Sequence, residues 1–234
     1  MTTAILLSGG TGQRTGFNIP KQYMENEGRM LISYSLEALI KSVVINAIVI
    51  VCADEWQDSI LGCIKELGIF AEKTKVIFTC PGGNRQQSIY NGLLKCSEEL
   101  PETDYVFIHD AARPYLTEEM ITTYIDTASK HDGCMPVLPM KDTVYYSEDG
   151  HVVSKLLSRE KIYAGQAPEV FSFDKYLKAN EALLPDAIKF INGSTEPAIK
   201  YGMDIAMVRG EEKNYKITTK ADYERFISDN KIVN

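Results

Sequence analysis

The chain has 234 residues, with 25 Lys and Arg against 32 Asp and Glu and a formal net charge of -7. That length buries a full core, and the acidic balance excludes a broad nucleic-acid-binding surface while leaving room for a basic pocket that takes a small anion. Residues 4–7 are too short for a signal-peptide core, no apolar run approaches the ~20 residues that cross a bilayer, and Cys52, Cys63, Cys80, Cys96 and Cys134 form no CxxC pair; the expectation is a cytoplasmic protein with free, buried thiols and no membrane partner.

Thr3, Ala4, Ile5, Leu6 and Leu7 form an apolar run that ends in glycines, the pattern of a buried parallel strand feeding a ligand loop. Apolar residues at helical spacing over 30–41 and a β-branched run over 43–52 predict a helix and a central strand. A helix over 55–67, a strand over 75–79 and a helix over 85–100 follow, the last after the turn Pro81-Gly82-Gly83-Asn84. Residues 105–108 read as the next strand and run into His109-Asp110-Ala111-Ala112-Arg113-Pro114. Thr117 then opens a helix with Glu118 and Glu119 at its positive end. The alternation predicts an α/β fold with a mostly parallel sheet covered on both faces.

The rhythm changes after Met140. Residues 142–147 and 151–157 read as extended pieces joined by Glu148-Asp149-Gly150, where Gly150 accommodates positive φ, so 141–159 is expected to be an arm projecting from the sheet. Helices over 172–184, 196–201 and 219–228 and a strand over 205–209 complete the chain, with Thr218 or Thr219 capping the last helix. No repeat, linker or low-complexity tail divides residues 1–234, which are expected to form a single domain.

In Ser8-Gly9-Gly10-Thr11-Gly12-Gln13-Arg14 the small residues let the backbone approach phosphate oxygens with its amides inward, and Arg14 adds a fork of donors. The same run also reads as a plain strand-to-helix turn, since it lacks the Gly-Lys-Ser/Thr ending of a P-loop and does not complete GxGxxG. Lys21, fixed behind Pro20, favours an anionic ligand over a solvated surface lysine; a nucleoside triphosphate fits best. Gly82, Gly83, Arg85 and Ser88 form a second turn feeding a helix, suited to base or ribose contacts or to an ordinary turn. Asp110 can bind a divalent cation through water or orient a sugar hydroxyl; the plainer alternative is a loop cap paired with Arg113. His109 reads as a satisfied core histidine. Arg159 and Lys216 are ordinary surface cations taken singly, but with Arg14 and Lys21 they would offset a triphosphate and a second phosphorylated substrate.

Six segments in order, 9–23, 82–93, 109–114, 141–143, 166–168 and 214–218, resemble the motifs of the 2-C-methyl-D-erythritol 4-phosphate cytidylyltransferases and their relatives, the ribitol 5-phosphate cytidylyltransferases. The resemblance spans nearly the whole chain. It implies a Rossmann-like three-layer nucleotidyltransferase fold, a homodimer joined by projecting arms, and Mg²⁺-dependent transfer of CMP from CTP to an alditol phosphate. Carried over residue by residue, it implies that Ser8, Gly9, Gly10, Thr11 and Gly12 hold the triphosphate, while Arg14, Lys21 and Lys216 stabilise charge as the acceptor phosphate attacks the α-phosphorus. Gly82, Gly83, Arg85 and Ser88 would contact cytosine and ribose, and Asp110 would lie near the ribose and the metal. On the acceptor side, Arg113 would brace its loop, and Thr143 and Arg159 would grip the phosphate, Arg159 from across the dimer. No covalent nucleophile is needed, because the acceptor brings its own oxygen.

The chain departs from the family pattern at three places. Ser8-Gly9-Gly10 stands where a paired alanine precedes the glycine, a form closer to the ribitol branch; Ala167-Pro168-Glu169 replaces Thr-Pro-Gln, and Thr195-Glu196 replaces Thr-Asp. The run from His109 to Pro114 and the short spacer between Arg14 and Pro20 are closer to the erythritol branch. The expectation is therefore 2-C-methyl-D-erythritol 4-phosphate as acceptor, with ribitol 5-phosphate as the alternative. A sugar 1-phosphate nucleotidyltransferase explains the arm and 214–218 less well, and a nucleotide-binding protein without turnover fits poorly with Arg14, Lys21, Arg159 and Lys216 all retained.

Overall fold

A computed structural model describes residues 1–10, 19–68 and 74–231. The first half carries β1 (Thr2–Leu7), β2 (Glu25–Asn26), β3 (Arg29–Met30), α1 (Leu31–Lys41), β4 (Ala47–Val51), α2 (Gln57–Glu66), β5 (Lys75–Thr79), α3 (Arg85–Glu99), β6 (Tyr105–Asp110) and α4 (Glu118–Ala128). The second half carries β7 (Gly133–Pro139), β8 (Val144–Tyr146), β9 (Lys155–Leu157), β10 (Tyr163–Gly165), β11 (Glu169–Ser172), α5 (Phe173–Glu181), α6 (Thr195–Lys200), β12 (Ile205–Arg209) and α7 (Lys220–Lys231).

β1 lies between β4 and β6, parallel to both, and β5 extends the sheet beyond β4. Alternate residues of these strands enter opposite cores, as period-two geometry requires. Ala4, Leu6, Ile48, Ile50 and Phe107 pack with Ile32 and Leu36 of α1, Ile60 of α2 and Ile121 of α4. Ile5, Val49, Val51, Val106 and Ile108 pack with Ile89 and Leu93 of α3 and Tyr176 of α5. The result is the predicted three-layer α/β arrangement, whose parallel strands end together at one edge.

β7, β10 and β11 extend the sequence expectation. β11 runs antiparallel between β6 and β7, β10 runs antiparallel to β7, and β12 pairs parallel with β7. β7 contains Pro136 and Pro139, which argue against a central strand. It is accommodated because β7 changes partner: it pairs with β11 at Gly133 and Cys134 and with β10 from Val137 to Pro139. Pro136 falls between the two antiparallel ladders.

The hairpin after Met140 is shorter than expected. β8 and β9 are three residues each, pairing in register Tyr145 to Leu156, and form a two-stranded sheet apart from the main one. The turn between them is organised by Asp149, whose Oδ1 accepts from the amides of His151 at 2.8 Å and Val152 at 2.9 Å. Gly150 adopts φ +75°. The cysteines are free, but only Cys52, Cys96 and Cys134 are buried as expected; Cys63 on α2 is half-buried and Cys80, just past β5, is exposed. Among the described residues no helix is long and apolar enough to cross a membrane.

Candidate active site

β1 runs into Ser8, Gly9 and Gly10, and the chain returns at 21–23 to hold that turn. Gln22 Nε2 donates to the carbonyls of Ser8 and Gly10, both at 2.7 Å. Tyr23 OH donates to the Ser8 carbonyl at 2.9 Å and accepts from Ser8 Oγ at 2.8 Å. Tyr23 is fixed by stacking on Trp56 with ring centroids 4.0 Å apart, and burial pushes its hydroxyl up to about 12. With the two carbonyls occupied, amide hydrogens are what the turn offers an anion. Gln22 and Tyr23 received no role from sequence reasoning; their position directly behind Lys21 was the available signal. Lys21 opens the short helical turn that carries them. Thr11, Gly12 and Arg14 lie outside the described residues.

The second glycine turn abuts the first. A Cβ on Gly9 would collide with the Pro81 ring, and one on Gly82 would fall 2.7 Å from the Gln87 carbonyl carbon and 2.9 Å from the Ser88 amide. Only glycine allows these approaches. Ser88 Oγ accepts from the Gly82 amide at 3.0 Å and donates to the Asn84 carbonyl at 2.9 Å, while Asn84 caps α3 by accepting from the Gln87 amide at 2.8 Å. Gly83 is exposed beside them. Arg85, the first residue of α3, is thereby aimed across the end of the sheet.

Arg85 meets Asp110, the last residue of β6. Its Nε lies 3.2 Å from Asp110 Oδ1, while Lys216 Nζ lies 3.0 Å and Arg113 Nε 3.5 Å from Oδ2. Burial pushes the Asp110 carboxyl up, but Arg85, Lys216 and Arg113 together outweigh it and hold the group far below the usual carboxylate range. Lys216 reaches the site because its segment is sewn onto the loop after β6. The Ile217 amide donates to the Ala112 carbonyl at 2.9 Å, Arg113 Nη1 to the Asn214 carbonyl at 2.6 Å, and Asn214 Nδ2 to the Ala167 carbonyl at 2.8 Å. His109 is fully buried, with Nε2 3.1 Å from the Arg113 carbonyl, and burial lowers it to about 4. It is a neutral core histidine, as expected, but not a fully satisfied one, since its buried Nδ1 has no hydrogen-bond partner.

Sequence reasoning missed a second carboxylate. Glu169 is buried at the start of β11, with Oε2 3.7 Å from Arg85 Nη2 and Oε1 accepting from the hydroxyls of Ser194 and Thr195. Ser194 Oγ also accepts from Arg85 Nη1 at 2.8 Å. Burial pushes the Glu169 carboxyl up against the pull of Arg85 and Ser194. The sequence marked it only as a departure, an acidic residue behind Ala167-Pro168 where the family pattern has glutamine.

Thr143 and Arg159 stand apart. Both are exposed at the base of the hairpin, and Arg159 Nη1 donates to the Lys141 carbonyl at 2.8 Å. No described hydrogen bond or ion pair links them to Asp110. Beside this base opens a cleft of about 750 Å³ whose lining includes Lys141, Tyr163, Arg209 and Lys213. That cleft is of mixed charge, since Glu211 and Glu212 line it too and Lys141 pairs with Glu212; the three cations gathered on Asp110 and the two glycine turns in contact are what form a site for polyanions.

Comparison with known proteins gives the family and the fold. The sequence model of the 2-C-methyl-D-erythritol 4-phosphate cytidylyltransferase family matches residues 2–227. A 2-C-methyl-D-erythritol 4-phosphate cytidylyltransferase of Thermotoga neapolitana is 36% identical over 225 residues, which cover 96% of this chain and 94% of the relative. A ribitol-5-phosphate cytidylyltransferase of Vibrio parahaemolyticus is 32% identical over 225 residues, 95% of this chain and 93% of the relative. Among solved structures, the 4-diphosphocytidyl-2C-methyl-D-erythritol synthase of Anaerococcus prevotii superposes with a TM-score of 0.83 at 22% identity, covering 98% of this chain and 96% of the other, a likeness of fold. The chain belongs to the 2-C-methyl-D-erythritol 4-phosphate cytidylyltransferase family.

Proposed function

We propose that the chain transfers CMP from CTP to 2-C-methyl-D-erythritol 4-phosphate, releasing pyrophosphate. The observation that carries this reading is the convergence of Arg85, Arg113 and Lys216 on the buried Asp110 at the edge where β1 and β6 end beside the two glycine turns. An acceptor phosphate oxygen forms a bond to the α-phosphorus of CTP as the bond from that phosphorus to the β-phosphate bridge breaks. No group on the enzyme has to become covalently attached. The work of the site is to hold two polyanions in line and neutralise the charge that develops.

The first turn, Ser8, Gly9 and Gly10 with Thr11 and Gly12, cradles the triphosphate; Gly82, Gly83, Arg85 and Ser88 face cytosine and ribose. Arg14, Lys21 and Lys216 carry the charge of the transition state. Arg113, Thr143 and Arg159 serve the acceptor. Among the described residues no group of three or more potential ligands forms a metal cage, and both oxygens of Asp110 are paired with cations. Asp110 is therefore the one described residue that would hold triphosphate-bound Mg²⁺, through water rather than directly; the ion would supply further neutralisation of phosphate charge.

We read residues 1–234 as one cytidylyltransferase domain in which 141–159 is a dimerisation arm. Tyr145, Tyr146, Val152, Val153 and Leu156 are exposed on that arm, an apolar surface that a second copy would cover while placing Arg159 beside its neighbour's acceptor site. The free thiols suit a reducing cytoplasm. The alternative acceptor, ribitol 5-phosphate, is favoured by Ser8-Gly9-Gly10 and by the Vibrio relative.

The test is pyrophosphate release from CTP and Mg²⁺ with each acceptor in parallel. A higher kcat/KM for 2-C-methyl-D-erythritol 4-phosphate is expected. A preference for ribitol 5-phosphate would make the product CDP-ribitol, and no turnover with either would remove the transferase reading.

A further inference from the structure

Glu169 pairs in register with Ile108, two residues before Asp110. Because β11 runs antiparallel to β6, the first residue of one strand shares an edge of the sheet with the last residue of the other. The Glu169 carboxylate touches Arg85 directly and holds Ser194, and Ser194 in turn holds Arg85. Arg85 then spans to Asp110 Oδ1, and Asp110 offers Oδ2 to Lys216. One unbroken series of contacts runs from Glu169 through Arg85 and Asp110 to Lys216.

Three cations in this cluster share two carboxylates. With Asp110 as its only counter-charge, the forked guanidinium of Arg85 would engage both carboxylate oxygens, the geometry it prefers, and displace Lys216. Glu169 draws the far side of the fork away. It does so at a position where the family's usual motif carries a neutral glutamine. As a packing element the carboxylate is a poor choice, since Oε2 is buried without a hydrogen-bond partner, and an isosteric amide would fill the same space.

We propose that Glu169 is a positioning residue of the transfer reaction, holding Arg85 directly and through Ser194 so that the second oxygen of Asp110 stays with Lys216. The inference rests on the reading of Lys216 as a catalytic cation.

The experiment combines Glu169→Gln with Lys216→Ala in a double-mutant cycle, reading single-turnover CMP transfer alongside thermal unfolding. Glu169→Gln is expected to unfold at or above the wild-type temperature while its rate falls about tenfold, with the KM for CTP changed less than about threefold. In the Lys216→Ala background the same substitution is expected to change the rate less than about twofold, because the group it positions is gone. A wild-type rate for Glu169→Gln overturns the proposal, as does a full loss repeated in the Lys216→Ala background. Wild-type turnover by Lys216→Ala alone would instead overturn the reading of Lys216 on which the proposal stands.

Discussion

Lys216 Nζ lies 3.0 Å from Asp110 Oδ2, joining the segment before the last helix to the end of a central strand. Lys216→Ala should lower kcat by about 10²–10³, the scale of one lost electrostatic contact to a transition state, and leave the fold intact. Asp110→Asn should act differently, because it strands Arg113 and Lys216 around a neutral group and leaves Arg85 with Glu169 alone. A loss of about 3–5 kcal/mol is expected, read from the denaturant midpoint. Equal stability in the two variants would contradict the distinction.

The glycine turns offer a steric contrast. Gly82→Ala presses a Cβ onto the backbone of Gln87 and Ser88 and should destabilise by about 1–3 kcal/mol, with CTP use impaired as α3 shifts. Gly10→Ala meets nothing within 4 Å and should fold normally. A loss of CTP affinity in Gly10→Ala without loss of stability, measured by calorimetric titration, would mark that position as one where ligand comes close.

Lys21 and Arg159 separate the two substrates. Lys21→Ala should reduce turnover about a hundredfold with stability unchanged within about 0.5 kcal/mol; unchanged turnover removes it from the catalytic set. Arg159→Ala should raise the KM for the acceptor by about tenfold or more and leave that for CTP nearly as it was. An equal effect on both substrates would rule out an acceptor clamp.

Asp222 gives a pH signature remote from the site. Burial pushes its carboxyl up, but hydrogen bonds from Thr218 and Thr219 outweigh this and bring it down to about 2 from 3.8. Thr219 Oγ1 reciprocates by accepting from the Asp222 amide at 3.2 Å, closing a capping box at α7. Since the folded state favours the carboxylate, the stabilisation is present above pH 3.8 and is lost as pH falls through 2. Asp222→Asn should cost about 1–2 kcal/mol at neutral pH, with the gap to wild type closing in acid, as urea unfolding at several pH values would show.

The α/β alternation was legible because β1, β4 and β6 are short apolar runs and α1 and α2 carry helical periodicity, signals that belong to single segments. β7 was hidden by Pro136 and Pro139, whose tolerance depends on which strands lie alongside, and β10 and β11 are too short to show a period. The glycine turns and Asp110 stood out as residue types placed at strand ends. Gln22, Tyr23, Ser194 and Glu169 did not, because each acts on a partner brought near by folding: Gln22 on carbonyls across a turn, Ser194 on a guanidinium from another helix. Thr143 and Arg159 were singled out by motif, and a single chain leaves them away from the Asp110 cluster.

The reversal of β11 brings two distant parts of the chain to one edge of the sheet. The glycine turns follow parallel strands whose ends are fixed by the central sheet, whereas the start of β11 enters the same edge from a later part of the chain. A substitution at 167–169 can therefore retune the charge next to Asp110 while leaving the residues of both glycine turns untouched.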